Sequence, residues 1–130
     1  MTTETTPKPI ALLTGVDPLI DRHDGFLLDI WGVIHDGRKP FPGVLDALAR
    51  IKAADKPVVL LSNASRPAAQ LDEMLQGMGV GRALYDHVVS SGEACRLTLE
   101  RMTHPWLSGK SRRCLYIGDV YDHVWMDPMG

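Results

Sequence analysis

Cysteine is scarce. The chain has two in 130 residues, Cys95 and Cys114, too far apart for a C-x-x-C pair and outside any Cys/His cluster, which excludes a zinc ribbon and a disulfide framework. A reducing compartment fits that usage. There is also no excess of either charge: 14 Lys+Arg against 16 Asp+Glu leave a formal charge of -2, neither a basic face for nucleic acid nor an acidic tail. No window approaches the ~20 consecutive apolar residues of a membrane span, and the opening MTTETTPKPI lacks the apolar run of a signal peptide. The expected location is cytoplasmic, with neither nucleic acid nor membrane as partner. Low-complexity tracts and short repeats are missing, which excludes a solenoid. What is present is ordinary for one globular unit, with 45% hydrophobic residues, and its expected partners are small molecules.

Residues 1–9 are polar, Thr-rich and interrupted by prolines, so a disordered tail is expected there. From Ile10 to Asp24 the spacing of Leu12, Leu13, Val16, Leu19 and Ile20 predicts a short amphipathic helix, capped by Asp17 ahead of Pro18. Phe26-Leu27-Leu28-Asp29-Ile30 is an apolar run holding one carboxylate, the pattern of a central parallel strand buried on both faces. The WGVIHDGRKP that follows is turn-rich and reads as a structured loop or small hairpin. Val44 to Ala54 has helical spacing and Pro57 to Leu61 is β-rich, ending in Ser62-Asn63. Pro67 to Gly77 is again helical. Asp86 to Ser90 and Gly92 to Met102 repeat the unit, and residues 114–117 suggest a fourth strand. Strands and helices alternate as in a doubly wound parallel α/β sheet of Rossmann-like type.

In such sheets ligands bind at the carboxyl ends of the strands. The first strand delivers Asp29 there and the second delivers Ser62 and Asn63. A carboxylate inside an apolar strand is costly unless it is paired, hydrogen-bonded or bound to a cation, so it points to function; the structural alternative is an aspartate that caps its own turn. Ser62 and Asn63 could offer a hydroxyl and an amide to phosphate oxygens, although both are ordinary turn residues. Arg66, just before a helix N-terminus, could add a charge-assisted contact, or be a solvated surface arginine.

Together, FLLDIWGVIHDG and VVLLSNASRP resemble the haloacid-dehalogenase superfamily of aspartate-nucleophile phosphohydrolases, subfamily IIA, whose members carry a large inserted cap. The resemblance runs from about Gly25 to Met102, and VVSSGEA is similar to the third core strand leading towards the cap. It implies residues 10–104 as the N-terminal part of the core and residues 105–130 as a linker and the start of the cap. By the same resemblance Asp29 is the nucleophile and a metal ligand, and the Trp31 carbonyl is a second ligand to Mg²⁺. Gly32 matches the motif's glycine, and Gly32, Ser62, Asn63 and Arg66 are the implied phosphate-binding residues. The implied substrate is a small phosphomonoester, a sugar phosphate or nucleotide, with homo-oligomerisation left open.

The chain also departs from the family. Two positions after the nucleophile its phosphatases usually carry an acid/base aspartate, and here stands Trp31, whose indole cannot protonate a leaving oxygen near neutral pH. His35 and Asp36 are the nearby candidates to replace it, but an exposed histidine and a turn aspartate before Gly37 are the expected outcomes. The family's lysine and late acidic motif are not matched; Asp119, Asp122 and Asp127 imitate the latter with the wrong spacing, and they read as the first part of the cap. In a capless domain Asp119 would instead bind metal and Lys110 phosphate. The 130 residues alone are therefore expected to be inactive. The alternative is a catalytically impaired module that binds a phosphorylated ligand.

Overall fold

The computed structural model describes residues 12–118 apart from 103, 112 and 114. The predicted tail lies outside these residues, as do Cys114, Asp119, Asp122, His123, Trp125 and Asp127. Three parallel strands, β1 (Phe26–Asp29), β2 (Val58–Ser62) and β3 (His87–Ser90), form an open sheet in the order β1-β2-β3. The crossovers carry helices α2 (Val44–Ala53) and α3 (Ala68–Gly77), and α4 (Ser91–Arg101) leaves β3 directly. This is the expected α/β core of Rossmann-like type, with a three-stranded sheet among the described residues. No helix among them is long and apolar enough to cross a membrane.

The core follows from the period-2 alternation of the strands against the 3.6-residue period of the helices. Val58 and Leu60 of β2 have no exposed surface, and they cluster with Leu48 and Ile51 of α2 and with Leu71 and Leu75 of α3. One sheet face therefore carries both helices, as right-handed crossovers require when the chain steps twice in the same direction. Among the described residues no helix covers the opposite face. Leu27 is 70% exposed there and pairs in register with Val59, and Leu61 pairs with Val89 further along the same face. This corrects the expectation for the first strand: among the described residues β1 is an edge strand, with Phe26 and Leu28 turned inward. A continuous apolar run signals burial on both faces only if both faces are covered.

Other expectations also shift. The helix predicted from Ile10 shrinks to α1 (Asp17–Ile20), with Val16 rather than Asp17 at its cap. Asp17 is instead the first helical residue and pairs with Arg50 of α2 at 2.8 Å. No strand forms at residues 115–117, where Leu115 and Ile117 are exposed; β propensity alone does not make a strand without ladder pairing to the sheet. Two short 3₁₀ turns, Arg82–Leu84 and Pro105–Leu107, were not anticipated. The remaining borders agree within a residue or two.

An ion pair ties α2 to the start of β3. Lys52 Nζ donates to both carboxylate oxygens of Asp86 at 2.7 and 2.8 Å, and Asp86 also accepts the Val58 amide at 2.7 Å. Lys52 first, and then the Val58 amide, hold this carboxyl below the usual carboxylate range. A carboxyl lowered by folding contributes stability that is complete above its unfolded value, about 3.9, and that is lost as pH falls through the lowered folded value. Asp86→Asn should therefore reduce stability at pH 7 and flatten the acid limb below about pH 4. Urea unfolding of both proteins across that range measures it; parallel acid limbs would contradict the assignment.

Candidate active site

The carboxyl ends of the three strands lie side by side. Asp29 pairs in register with Leu61, and Ser62 with Ser90. The Ile30 amide donates to the Leu61 carbonyl at 3.0 Å, extending the β1–β2 contact one residue past the strand. Asp29 is exposed, so the cost of burial does not account for it. Its Oδ1 accepts the Ile30 amide at 2.9 Å, as in the turn-capping alternative, and Oδ2 faces outward without a protein partner among the described residues. A carboxylate held at one oxygen and free at the other is oriented and still available.

Immediately beyond, the chain folds into a compact loop. The Gly32 amide donates to the His35 carbonyl at 2.9 Å, and the amides of Ile34 and His35 both donate to the Ile30 carbonyl. Short bridges join Trp31 to His35 and His35 to Pro40, so the expected small hairpin is present. Gly32 has φ +80°, a left-handed conformation that glycine adopts without strain. Its N–H is spent on the loop, so it shapes the turn rather than supplying a donor. The Trp31 indole is 66% exposed and meets the His35 ring edge to face, with centroids 5.5 Å apart.

Neither candidate for the missing acid is free to act as one. The Asp36 carboxylate accepts the amides of Arg38 at 2.8 Å and Lys39 at 2.9 Å. These bonds, Lys39 first, lower its pKa and keep it ionised near neutrality. A general acid needs a proton to give, so Asp36 is the turn aspartate expected for it. His35 is not the exposed residue expected, being 1% exposed. Its Nδ1 accepts the Gly37 amide at 2.9 Å, and its Nε2 is buried with no hydrogen-bond partner. Loop closure puts the imidazole under the hairpin, where its edge meets Trp31.

The second strand carries the residues expected to bind the phosphate. Ser62 is half-buried and its Oγ accepts the Ala64 amide at 3.1 Å, curling the chain after β2. Asn63 and Arg66 are exposed on this loop. Arg66 makes no ion pair among the described residues, which leaves its guanidinium free for an anion. The N-terminus of α3 is less free than its position implied. The Glu93 carboxylate is held below the usual carboxylate range first by Arg96 at 2.8 Å, with a smaller contribution from the main chain of Ala68 at the first residue of that helix. A protein carboxylate thus already sits at the helix dipole.

Mg²⁺ is held by hard oxygen donors, commonly through one or two carboxylates with waters and substrate phosphate completing an octahedron. The outward Asp29 Oδ2 and the nearby main chain at Trp31 suit that mode. A protein-only cage is not present: no group of three or more His, Cys, Asp or Glu side chains is arranged for a metal among the described residues. Lys110 is exposed, and Asp119 lies outside the described residues. His87 and His104 are exposed, as expected for isolated histidines.

Sequence reasoning missed the residues behind the phosphate loop. Ser90, 1% exposed, donates from Oγ to the Arg66 carbonyl at 2.6 Å and accepts the Glu93 amide at 3.0 Å. The signal was present as Ser90-x-x-Glu93, the spacing of a helix capping box.

Comparison with known proteins bears on the family and the fold. The model of the haloacid dehalogenase-like hydrolase family matches residues 26–126. A 4-nitrophenylphosphatase of Schizosaccharomyces pombe (strain 972 / ATCC 24843) is 41% identical over 46 residues, 35% of this chain and 15% of that protein. Among solved structures, a haloacid dehalogenase-like family hydrolase of Brucella suis 1330 superposes with a TM-score of 0.75 at 30% identity. The match covers 89% of this chain and 40% of that one. A hypothetical protein of Pyrococcus horikoshii OT3 gives 0.51 at 28% identity over 61% of this chain and 30% of its own. The chain thus spans well under half the length of each of these relatives. The family match covers both strand-end motifs and most of the chain, and it upholds the resemblance read from FLLDIWGVIHDG and VVLLSNASRP: the chain belongs to the haloacid dehalogenase-like hydrolases.

Proposed function

We propose that this chain forms the nucleophile and phosphate side of a Mg²⁺-dependent phosphatase that acts on a small phosphomonoester, a sugar phosphate or nucleotide, through an aspartyl-phosphate. The observation that carries the reading is Asp29 at the end of β1, anchored at Oδ1 and open at Oδ2, in register beside the strand that presents Ser62, Asn63 and Arg66. Oδ2 attacks phosphorus and the leaving alkoxide departs; water then releases phosphate and regenerates the carboxylate. Ser62, Asn63 and Arg66 bind the phosphate oxygens, and Gly32 shapes the turn beside them. Bound Mg²⁺, held by Asp29 and the Trp31 carbonyl, would neutralise charge on the phosphoryl oxygens.

Because the chain spans only part of its relatives' length, turnover is proposed for the full-length protein. The residues numbered 1–130 carry the nucleophile and the cradle, and from them alone we expect phosphate binding without turnover. Residues 105–130 are proposed to lead into the cap, where substrate choice would reside. The open sheet face and unpaired strand edges make association of isolated copies expected.

A second reading is favoured by one observation: Asp36 is held ionised and His35 is buried, so neither of these two candidates stands in for the aspartate absent at Trp31. Loss of a positioned acid costs roughly 10²–10⁴-fold in rate. Such a site either hydrolyses esters with good leaving groups slowly or binds a phosphorylated ligand without cleaving it. Release of 4-nitrophenol from 4-nitrophenyl phosphate by the full-length protein separates the two. The phosphatase reading expects release that stops with EDTA and returns with Mg²⁺, and a KM raised about tenfold or more by Arg66→Ala, the loss of one charge-assisted contact. Phosphate binding with no release would establish the binding module.

A further inference from the structure

The loop after β2 that carries the proposed phosphate ligands is not shaped by its own strand and helix alone. The turn opening α4 grips it at several points. The Gly92 amide donates to the Ala64 carbonyl at 3.0 Å, and Ser90 Oγ donates to the Arg66 carbonyl at 2.6 Å. Between these, Gly92 leaves no room for a side chain: a Cβ added there would overlap the Ser65 carbonyl, a backbone group that cannot swing aside. On the far side Glu93, whose amide the Ser90 hydroxyl accepts, has its carboxylate fixed by Arg96 at 2.8 Å. Consecutive residues beside the Asn63 and Arg66 side chains are thus set by one short segment of the third unit.

We propose that Ser90 and Gly92 are positioning residues of the phosphate site: they fix the main chain of residues 64–66 and so aim Asn63 and Arg66 at the phosphate. The inference rests on the phosphate-binding reading above. Its physical basis is the chemistry of the contacts. Ser90 is buried, so its hydroxyl must be satisfied, and it is satisfied in both senses, as acceptor from its own helix and donor to the loop. Ser90→Ala leaves the Arg66 carbonyl without this donor, and Gly92→Ala forces Ser65 outward.

The test is inorganic phosphate titrated into the chain with Mg²⁺ present, followed by the amide NMR signals of residues 62–66. Wild type, Ser90→Ala, Ser90→Thr and Gly92→Ala are compared, with Leu99→Ala as a destabilising change elsewhere on α4. Urea unfolding identifies the variants that are folded. Phosphate should shift the loop amides in wild type. Ser90→Ala and Gly92→Ala should weaken binding at least about tenfold, the scale of one charge-assisted contact, with the loop signals displaced before phosphate is added. Ser90→Thr should restore affinity and Leu99→Ala should keep it. Wild-type affinity and unmoved loop signals in Ser90→Ala and Gly92→Ala would overturn the positioning role alone, as would equal weakening by Leu99→Ala. If phosphate shifts no loop amide in wild type, the phosphate-binding reading fails and the positioning role fails with it.

Discussion

Asp29→Asn in the full-length protein should abolish Mg²⁺-dependent turnover of 4-nitrophenyl phosphate while leaving the fold intact. The side chain is exposed and its structural bond is the one from the Ile30 amide to Oδ1, which the asparagine carbonyl oxygen can accept as well. What the amide cannot do is attack phosphorus or carry the negative charge that holds Mg²⁺. Loss of a covalent nucleophile costs on the order of 10⁴-fold or more in kcat, so release should fall to background. Phosphate binding should persist in weakened form, because Ser62, Asn63 and Arg66 are untouched. Turnover within about tenfold of wild type, a loss of only ~1.4 kcal/mol, would mean that Asp29 is not the nucleophile.

The second large effect concerns the core. Leu60→Ala should cost about 2–5 kcal/mol, the range for emptying a fully buried leucine site. Leu60 lies at the centre of β2, the strand with neighbours on both sides among the described residues, and it packs in one cluster with Leu48, Ile51, Leu71 and Leu75. One sheet face carries no helix among the described residues, so a loss of this size is expected to be large against the 5–15 kcal/mol usual for a domain. The variant should unfold at markedly lower urea or be unfolded outright. Leu27→Ala, on the open face, should cost far less, since its side chain already meets water. Equal losses at the two positions would show that the open face is covered in solution.

The contrast between Leu60 and Leu27 also shows what a sequence can and cannot convey. Both sit in apolar runs with the signature of buried parallel strands, and alternation between helix and strand was enough to place the three βα units. Which face is covered depends on the direction of each crossover and on which elements are present, and neither is written in the local pattern of FLLD or VVLLS. Chain order likewise brought Asp29, Ser62 and Asn63 to one edge. His35 shows the opposite case: a lone histidine in a polar, glycine-containing loop looks exposed, yet closing the hairpin buries it under Trp31. Ser90 and Gly92 were hidden because their partners are main-chain carbonyls 24 or more residues away, contacts that leave no trace in residue spacing.

Trp31 bears on the chemistry as well as on the loop. An acid absent beside a retained nucleophile makes the first step depend on the leaving group and need not prevent phosphoryl transfer to Asp29. The covalent intermediate is therefore the species on which the account turns. The full-length protein mixed with 4-nitrophenyl phosphate and Mg²⁺, quenched in borohydride and digested, reports it directly, because borohydride reduces an aspartyl-phosphate to the alcohol and leaves a free carboxylate unchanged. The account predicts the reduced product at residue 29, formed only when both substrate and Mg²⁺ are present. Turnover with residue 29 unreduced and a label on any other side chain would contradict it.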